Sequence, residues 1–270
     1  AAHHDAEDGG LQLPEVILRS CVAYFSAANI STSGYSFLTI GSANLVKGFA
    51  SDALRERFLP PMLDGRYSGT MALTEPGQGS ALGDIRTTAR PTADGSYRVF
   101  GQKMFISGGD HELTDNIVHM VLARIEGAPA GVKGISLFLV PKVLVNEDGS
   151  LGARNDVALA GLLHKMGYRN TTSTVLSFGE KDGAVGYLVG EANKGLSYMF
   201  QMMNEARIGV ALGASVLAYQ SYIHALAYAR ERPQGRLPGS KDPLSNQVRI
   251  VQHADVRRML LQQKVYAEAA

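Results

Sequence analysis

Two hydroxyls and two glycines in Thr74-Glu75-Pro76-Gly77-Gln78-Gly79-Ser80 are the residues of this 270-residue chain whose types and spacing first point to chemistry. The loop follows an apolar, strand-like run, Met71-Ala72-Leu73, so it can bring backbone N–H groups and the Thr74 and Ser80 hydroxyls against an anion. Gly77 and Gly79 permit close approaches and backbone conformations that a Cβ would block, and Pro76 fixes the direction from which the chain arrives. A phosphate is the ligand this chemistry implies. Spacing alone leaves an ordinary turn open as well. The glycines match neither GxGxxG nor GxxxxGK[ST], and Asp84 to Arg90 lacks the pattern of an amphipathic helix.

A second segment must sit beside that loop. After the turn signal Ala93-Asp94-Gly95-Ser96, Tyr97 to Phe105 alternates, with Tyr97, Val99, Met104 and Phe105 among polar residues, which predicts a half-buried strand ending in GQKMFISGGD. Asn116 to Ile125, Gly134 to Pro141 and Thr171 to Phe178 are β-branched or alternating runs, so 69–190 reads as a compact β-sandwich or barrel. Leu13 to Leu63 is helical in pattern. Pro14 suits a first helical turn, Val16, Ile17, Tyr24 and Phe25 recur at helix-like spacing, and Asp52 is expected to cap Leu54 to Met62. Helices return after Asn193. Ile208 to Ala229 holds no Asp, Glu, Lys or Arg and nominally reaches transmembrane length, but Ser215, Tyr219, Gln220, Ser221, Tyr222 and His224 interrupt it, so a buried bundle helix is expected.

Composition removes several function classes. Lys plus Arg is 26 against Asp plus Glu 25, so no global field points to nucleic acid or membrane. Locally, eight basic residues (Arg230, Arg232, Arg236, Lys241, Arg249, Arg257, Arg258, Lys264) face three acidic ones between 230 and 264, which fits a solvated helix face or a nearby anionic cofactor. The single Cys21 excludes an intrachain disulfide and fits a reducing, cytoplasmic setting; its neighbours Val22, Tyr24 and Phe25 predict a buried thiol. The sequons at Asn29 and Asn170 then read as accidental. The start, AAHHDAEDGG, has no apolar signal region and reads as truncated. His111-Glu112 opens an HExxH pattern, but position 115 is Asp, no other His cluster has metal-ligand spacing, and no GxSxG occurs.

Taken together, TEPGQGS and GQKMFISGG resemble the two signature segments of the flavin-dependent acyl-CoA dehydrogenase family, in its order and at its separation. FLPPMLDGRYSGTMALTEP, NIVHMVLAR, KGISLFLVPK, HKMGYRNTTST, LVGEANKGLSYMF and the helix of Arg207 are similar to that family too, with most similarity to the branch acting on methylthio-propanoyl-CoA. The resemblance implies an α+β fold: the end of an N-terminal helical domain (1–68), a central β domain (69–190) and the first part of a C-terminal helical bundle (191–270). It implies FAD-dependent α,β-dehydrogenation of an acyl-CoA thioester, short-chain or methylthio-propanoyl. Electrons would pass to an electron-transfer flavoprotein, in a homo-dimer or tetramer with no membrane or nucleic-acid role.

The same resemblance assigns residues. Met71, Leu73 and Thr74 lie along the isoalloxazine, Gly79 and Ser80 face the pyrophosphate and the CoA, and Phe105, Ile106 and Ser107 cover the other ring edge with the Ser107 hydroxyl near N5. Asn204 and Arg207 join Ser80 on the substrate side, and Met199, Met202 and Met203 fill the core or line an adaptable acyl pocket. Arg232, in ARERPQG, corresponds to the arginine reaching the FAD pyrophosphate of a neighbouring subunit, with the family's RxxFG spacing shortened. The family usually has Trp and Thr where this chain has Phe105 and Ser107, and Asp where it has Ala81; Phe still stacks and Ser still donates. The catalytic base is expected beyond Ala270. The family's alternative position is occupied by Ala206, and the adjacent Glu205 is rotated by about 100° on a helix. Two readings from other classes remain: a flavin-binding relative that binds nucleic acid through the basic C-terminal segment, and an inert structural fragment.

Overall fold

The computed structural model describes residues 2–240 and 242–270, so Lys241 of the basic segment lies outside the described residues. The fold is α+β, with ten strands between two helical stretches. The chain groups into two compact units, one of Ala1–Arg19 and Ile30–Ile208, the other of Ser20–Asn29 and Gly209–Ala270.

In the first unit, helix α1 (Glu15–Phe49) begins after Pro14, whose fixed φ and missing N–H suit a helix start. α1 is two helical pieces joined at Asn29, which sits at φ −159°, ψ 94°; short polar side chains compete with the helix backbone at such positions. Helix α2 spans Asp52–Leu63. Asp52 does not cap it. Ser51 holds the N-cap position without a side-chain hydrogen bond, and Asp52 is the first helical residue, paired with Arg55 at 2.5 Å. An acidic residue in the first turn still complements the helix dipole.

The strands are β1 (Tyr67–Ala72), β2 (Thr88–Pro91), β3 (Tyr97–Ser107), β4 (Asn116–Ile125), β5 (Ile135–Pro141), β6 (Val143–Val145), β7 (Leu151–Arg154), β8 (Val157–Leu162), β9 (Ser173–Phe178) and β10 (Ala184–Val189). The main sheet runs β1-β4-β5-β10-β3-β9-β8, and β2 pairs with both β3 and β4. β4, β5, β10, β3 and β2 therefore form a closed ring of pairings, the barrel of the two architectures, sandwich or barrel, expected from sequence, with β1, β9 and β8 extending from it. β4 and β5 read as continuous apolar runs because both their faces are buried. Val118, Met120 and Leu122 of β4 pack with Leu45, Phe58 and Met62 of the helices, while Val121 and Ala123 pack with Val99, Phe138 and Phe178 on the opposite face. The period of two along one strand thus serves two cores.

Helix α3 (Gly195–Glu231) starts in the first unit, where Met199 and Met202 are buried in that core. From 209 it belongs to the second unit with α4 (Ala254–Ala269). Two expectations fail here. Between 208 and 229 only Gly213 and Ala229 are buried, so within this chain the stretch is not a buried bundle helix. By length and composition α3 is long and apolar enough to cross a membrane. Cys21 is exposed, and so are the neighbours that made it read as buried, Tyr24 and Phe25 at 82% and 70%. Helical spacing predicts which residues share a face, and the number of elements available to cover that face decides burial; the second unit has few.

Candidate functional site

The site begins with a fault in β3. Its pairing with β9 runs in register to Lys103 opposite Leu176 and resumes at Ile106 opposite Thr174, so two residues, Met104 and Phe105, oppose one. This is a β-bulge. Phe105 takes φ +59°, a left-handed conformation that costs a bulky L-residue roughly 1–2 kcal/mol. The bulge also switches parity. Val99 and Lys103 point inward, and regular alternation would turn Phe105 inward as well; instead Ile106 is buried and Phe105 is 60% exposed.

β1 reaches the same place from the other motif. Its continuation Thr74 accepts a hydrogen bond from the Met104 N–H at 2.9 Å, so TEPGQGS and GQKMFIS meet beside the bulge although 33 residues separate Thr74 from Ser107. Gly108, directly after Ser107, sits at φ +62°, and a Cβ there would lie 3.0 Å from the Tyr35 ring. Glycine is favoured on both counts. The hydroxyls of Thr74, Ser80 and Ser107 have no hydrogen-bond partner among the described residues, nor does the Thr74 N–H. Met71 is half-buried, while the side chains of Leu73 and Ile106 lie in the cores. Ile106 can therefore meet a ligand through its backbone alone.

The glycine loop is closed by reciprocal bonds, Glu75 N–H to Gln78 O at 2.9 Å and Gln78 N–H to Glu75 O at 3.1 Å. A short 3₁₀ turn, Leu82–Asp84, follows it. A Cβ on Gly77 or Gly79 would meet nothing within 4 Å, and neither residue has positive φ. The chain's own conformation and packing thus do not require these glycines, which leaves the loop backbone open to close approach from outside. An exposed aromatic held at a strained bulge, free hydroxyls and an uncrowded glycine loop together fit a flavin with its phosphates.

Sequence reasoning missed what lies behind this surface. Lys103 is fully buried, and its ammonium donates to Leu73 O and to Glu75 Oε1, each at 2.9 Å. Glu75 also accepts from Arg86 N–H at 2.7 Å, Thr87 N–H at 3.0 Å and the Thr87 hydroxyl at 2.5 Å. Burial lowers the Lys103 pKa to about 8 against the upward pull of Glu75. Burial pushes the Glu75 carboxyl up, but the Lys103 charge and the hydrogen bonds outweigh it and hold the carboxyl below its usual range. The available signal was parity: Lys103 lies four residues from buried Val99 on one strand, with an acidic residue in the opposing motif.

The remaining candidates lie elsewhere. Arg207 donates to Asn204 at 2.7 Å, and both are exposed at the end of the first unit's share of α3. Arg232 belongs to the second unit, where its side chain is exposed. Glu205 accepts from the Asn44 amide at 2.9 Å, so it is engaged as well as rotated. His111 Nδ1 accepts from the Leu113 N–H at 3.2 Å, which leaves Nε2 to donate to Ser68 Oγ at 3.3 Å; this histidine is no base for that serine.

Known proteins match the chain across the region that holds these segments. Residues 70–180 match the profile of the acyl-CoA dehydrogenase middle domain. The chain is 44% identical to 3-methylmercaptopropionyl-CoA dehydrogenase of Ruegeria pomeroyi over 98% of its own length and 44% of that protein's. It is 45% identical to a butyryl-CoA dehydrogenase of Syntrophomonas wolfei over 90% of its length and 41% of that protein's, so it spans less than half of each relative. The acyl-CoA dehydrogenase of Bacillus anthracis, solved complexed with FAD, shares the fold at a TM-score of 0.76 and 24% identity, over 97% of this chain and 40% of that one. The resemblance first carried by TEPGQGS and GQKMFISGG therefore holds over nearly the whole sequence, and the chain belongs to the acyl-CoA dehydrogenase family.

Proposed function

We propose that this chain forms the flavin-binding part of an acyl-CoA dehydrogenase that desaturates a short acyl-CoA thioester, butyryl- or methylthio-propanoyl-like, at its α and β carbons. The observation that carries the reading is the bulge at Phe105, which brings the two motifs together and exposes an aromatic ring at a cost in backbone strain. FAD, when bound, supplies the acceptor for a hydride that no side chain can take. Phe105 would pack against the ring system, the Thr74 and Ser107 hydroxyls would hydrogen-bond its polar edge, and the loop from Gly77 to Ser80 would face phosphate oxygens with uncrowded backbone. Met71 and the backbone at Leu73 and Ile106 would complete the wall.

Removing an α-proton needs a positioned base. Glu75 is locked to Lys103 and Glu205 to Asn44, so we read the base as supplied from outside these residues. We also read 1–68, 69–190 and 191–270 as three functional parts. Asn204, Arg207 and Ser80 would face the CoA thioester, and Arg232 would reach the FAD of a second subunit in a homo-dimer or tetramer. Electrons would leave to an electron-transfer flavoprotein, in the cytoplasm.

The test is to incubate the chain with FAD, desalt it, and add butyryl-CoA anaerobically. Stoichiometric retained flavin absorbance is expected, with bleaching slowed about 10²- to 10⁴-fold relative to a base-containing dehydrogenase. A colourless protein would overturn the reading, and full-speed bleaching would make Glu205 the base.

A further inference from the structure

The contact between Lys103 and Leu73 O reaches beyond packing, because the Leu73 carbonyl and the Thr74 N–H are two ends of one amide. The carbonyl accepts a hydrogen bond from the buried ammonium at 2.9 Å, while the N–H has no partner among the described residues. An ammonium on the oxygen draws amide electron density toward it and makes the N–H at the other end a stronger donor, as in any hydrogen-bonded chain of low local dielectric. Thr74 is also held on its far side, its own carbonyl accepting the Met104 N–H, and Glu75 holds Lys103 in place while its second oxygen is fixed by the Arg86 N–H. The donor is thus both strengthened and immobile.

We propose that Lys103 is a positioning residue that prepares the Thr74 amide as a strong donor to the bound flavin ring and so favours the ring's reduced state, an inference that rests on the flavin reading above. A flavin ring gains electron density on reduction, so a fixed donor to one of its acceptor atoms stabilises the reduced form more than the oxidised one. Glu75 is the only charged group acting on Lys103 among the described residues, and the Lys103 ammonium is fully buried with its bonds going to Leu73 O and Glu75. The role therefore differs from direct contact with the cofactor.

The experiment compares the full chain with Glu75→Gln, Lys103→Met and the double variant, all loaded with FAD. The double variant removes both charges together and so keeps the fold where Lys103→Met alone strands the carboxylate. The readouts are FAD affinity and the midpoint potential of the bound flavin. The expected result is that the double variant still binds FAD but loses about tenfold in its preference for the reduced form, equal to about 30 mV for a two-electron couple. Glu75→Gln, which removes the carboxylate that keeps the buried Lys103 charged, should lose part of the same preference. An unchanged potential in the FAD-loaded double variant overturns the inference and leaves the flavin reading standing; a wild-type chain that takes up no FAD overturns the flavin reading itself. A measurement on the wild-type protein needs no variant to fold. The Thr74 amide resonance should move as Lys103, whose pKa burial lowers to about 8, loses its proton, and a resonance that stays fixed while the Lys103 side chain is seen to titrate would also overturn the inference.

Discussion

Lys103 and Phe105 stand two residues apart on one strand and exchange the places their side chains would normally take: the charged one is fully buried, the aromatic one 60% exposed. Behind the bulge, Glu75, Lys103 and Thr87 satisfy one another; in front of it, Thr74, Ser80 and Ser107 keep their hydroxyls without a partner in the described chain. The two sides teach different things. Groups behind the bulge are chosen for each other, so changing one damages the fold. Groups in front are not explained by the fold at all, so changing them should leave it intact and damage only what they bind.

The sharpest break of this contrast is Lys103→Met. It leaves the Glu75 carboxylate buried without its cation and should cost about 3–5 kcal/mol in urea unfolding, whereas adding Glu75→Gln should return most of that. A second buried polar group tests the same side by pH. His119 on β4 is bonded to Thr70 Oγ1 at 2.8 Å, its Nε2 has no partner among the described residues, and burial lowers its pKa to about 3. The unfolded chain takes up this proton near pH 6.5 and the folded one only near pH 3. Stability should be full above pH 6.5 and fall by about 1.4 kcal/mol for each pH unit between those limits. His119→Gln should flatten that part of the profile; an unchanged slope would place the acid sensitivity elsewhere.

Much of this was legible in advance. The strand positions followed from runs such as Asn116–Ile125, and the loop from Thr74 to Ser80 followed from its glycines. The bulge was not, because nothing in Gln102-Lys103-Met104-Phe105 marks a residue that must leave the ladder; the pairing across to β9 decides it. The buried ion pair was hidden for a related reason. A lysine in an alternating strand is read as solvent-facing unless its acidic partner, 28 residues away, is known to lie against it. Cys21 was misjudged because apolar neighbours predict burial only where other elements cover them.

On the open side the expected effects on stability are smaller and of the other sign. Phe105→Gly removes the strain of φ +59° and should stabilise the chain by about 1 kcal/mol. The same change should weaken FAD about tenfold, as expected for losing an aromatic contact worth about 1 kcal/mol beyond its area. Stability and affinity both falling would mean that Phe105 belongs to the buried side of the comparison. The smallest stability effect is expected at Gly77→Ala and Gly79→Ala, within about 0.5 kcal/mol of wild type because a Cβ meets nothing within 4 Å. FAD fluorescence titration of these variants should nonetheless show weaker binding.

Hydrogen exchange of individual backbone amides, with and without FAD, tests most directly the claim that the bulge face holds the flavin. The Thr74 N–H has no partner in the described chain and should exchange fast alone and markedly more slowly with FAD, together with the amides of Gly77, Gly79 and Ser80. The paired amides of β4 and β5 should be slow in both states. Protection by FAD that appears elsewhere and leaves Thr74 and the loop amides of Gly77, Gly79 and Ser80 unchanged would contradict the account.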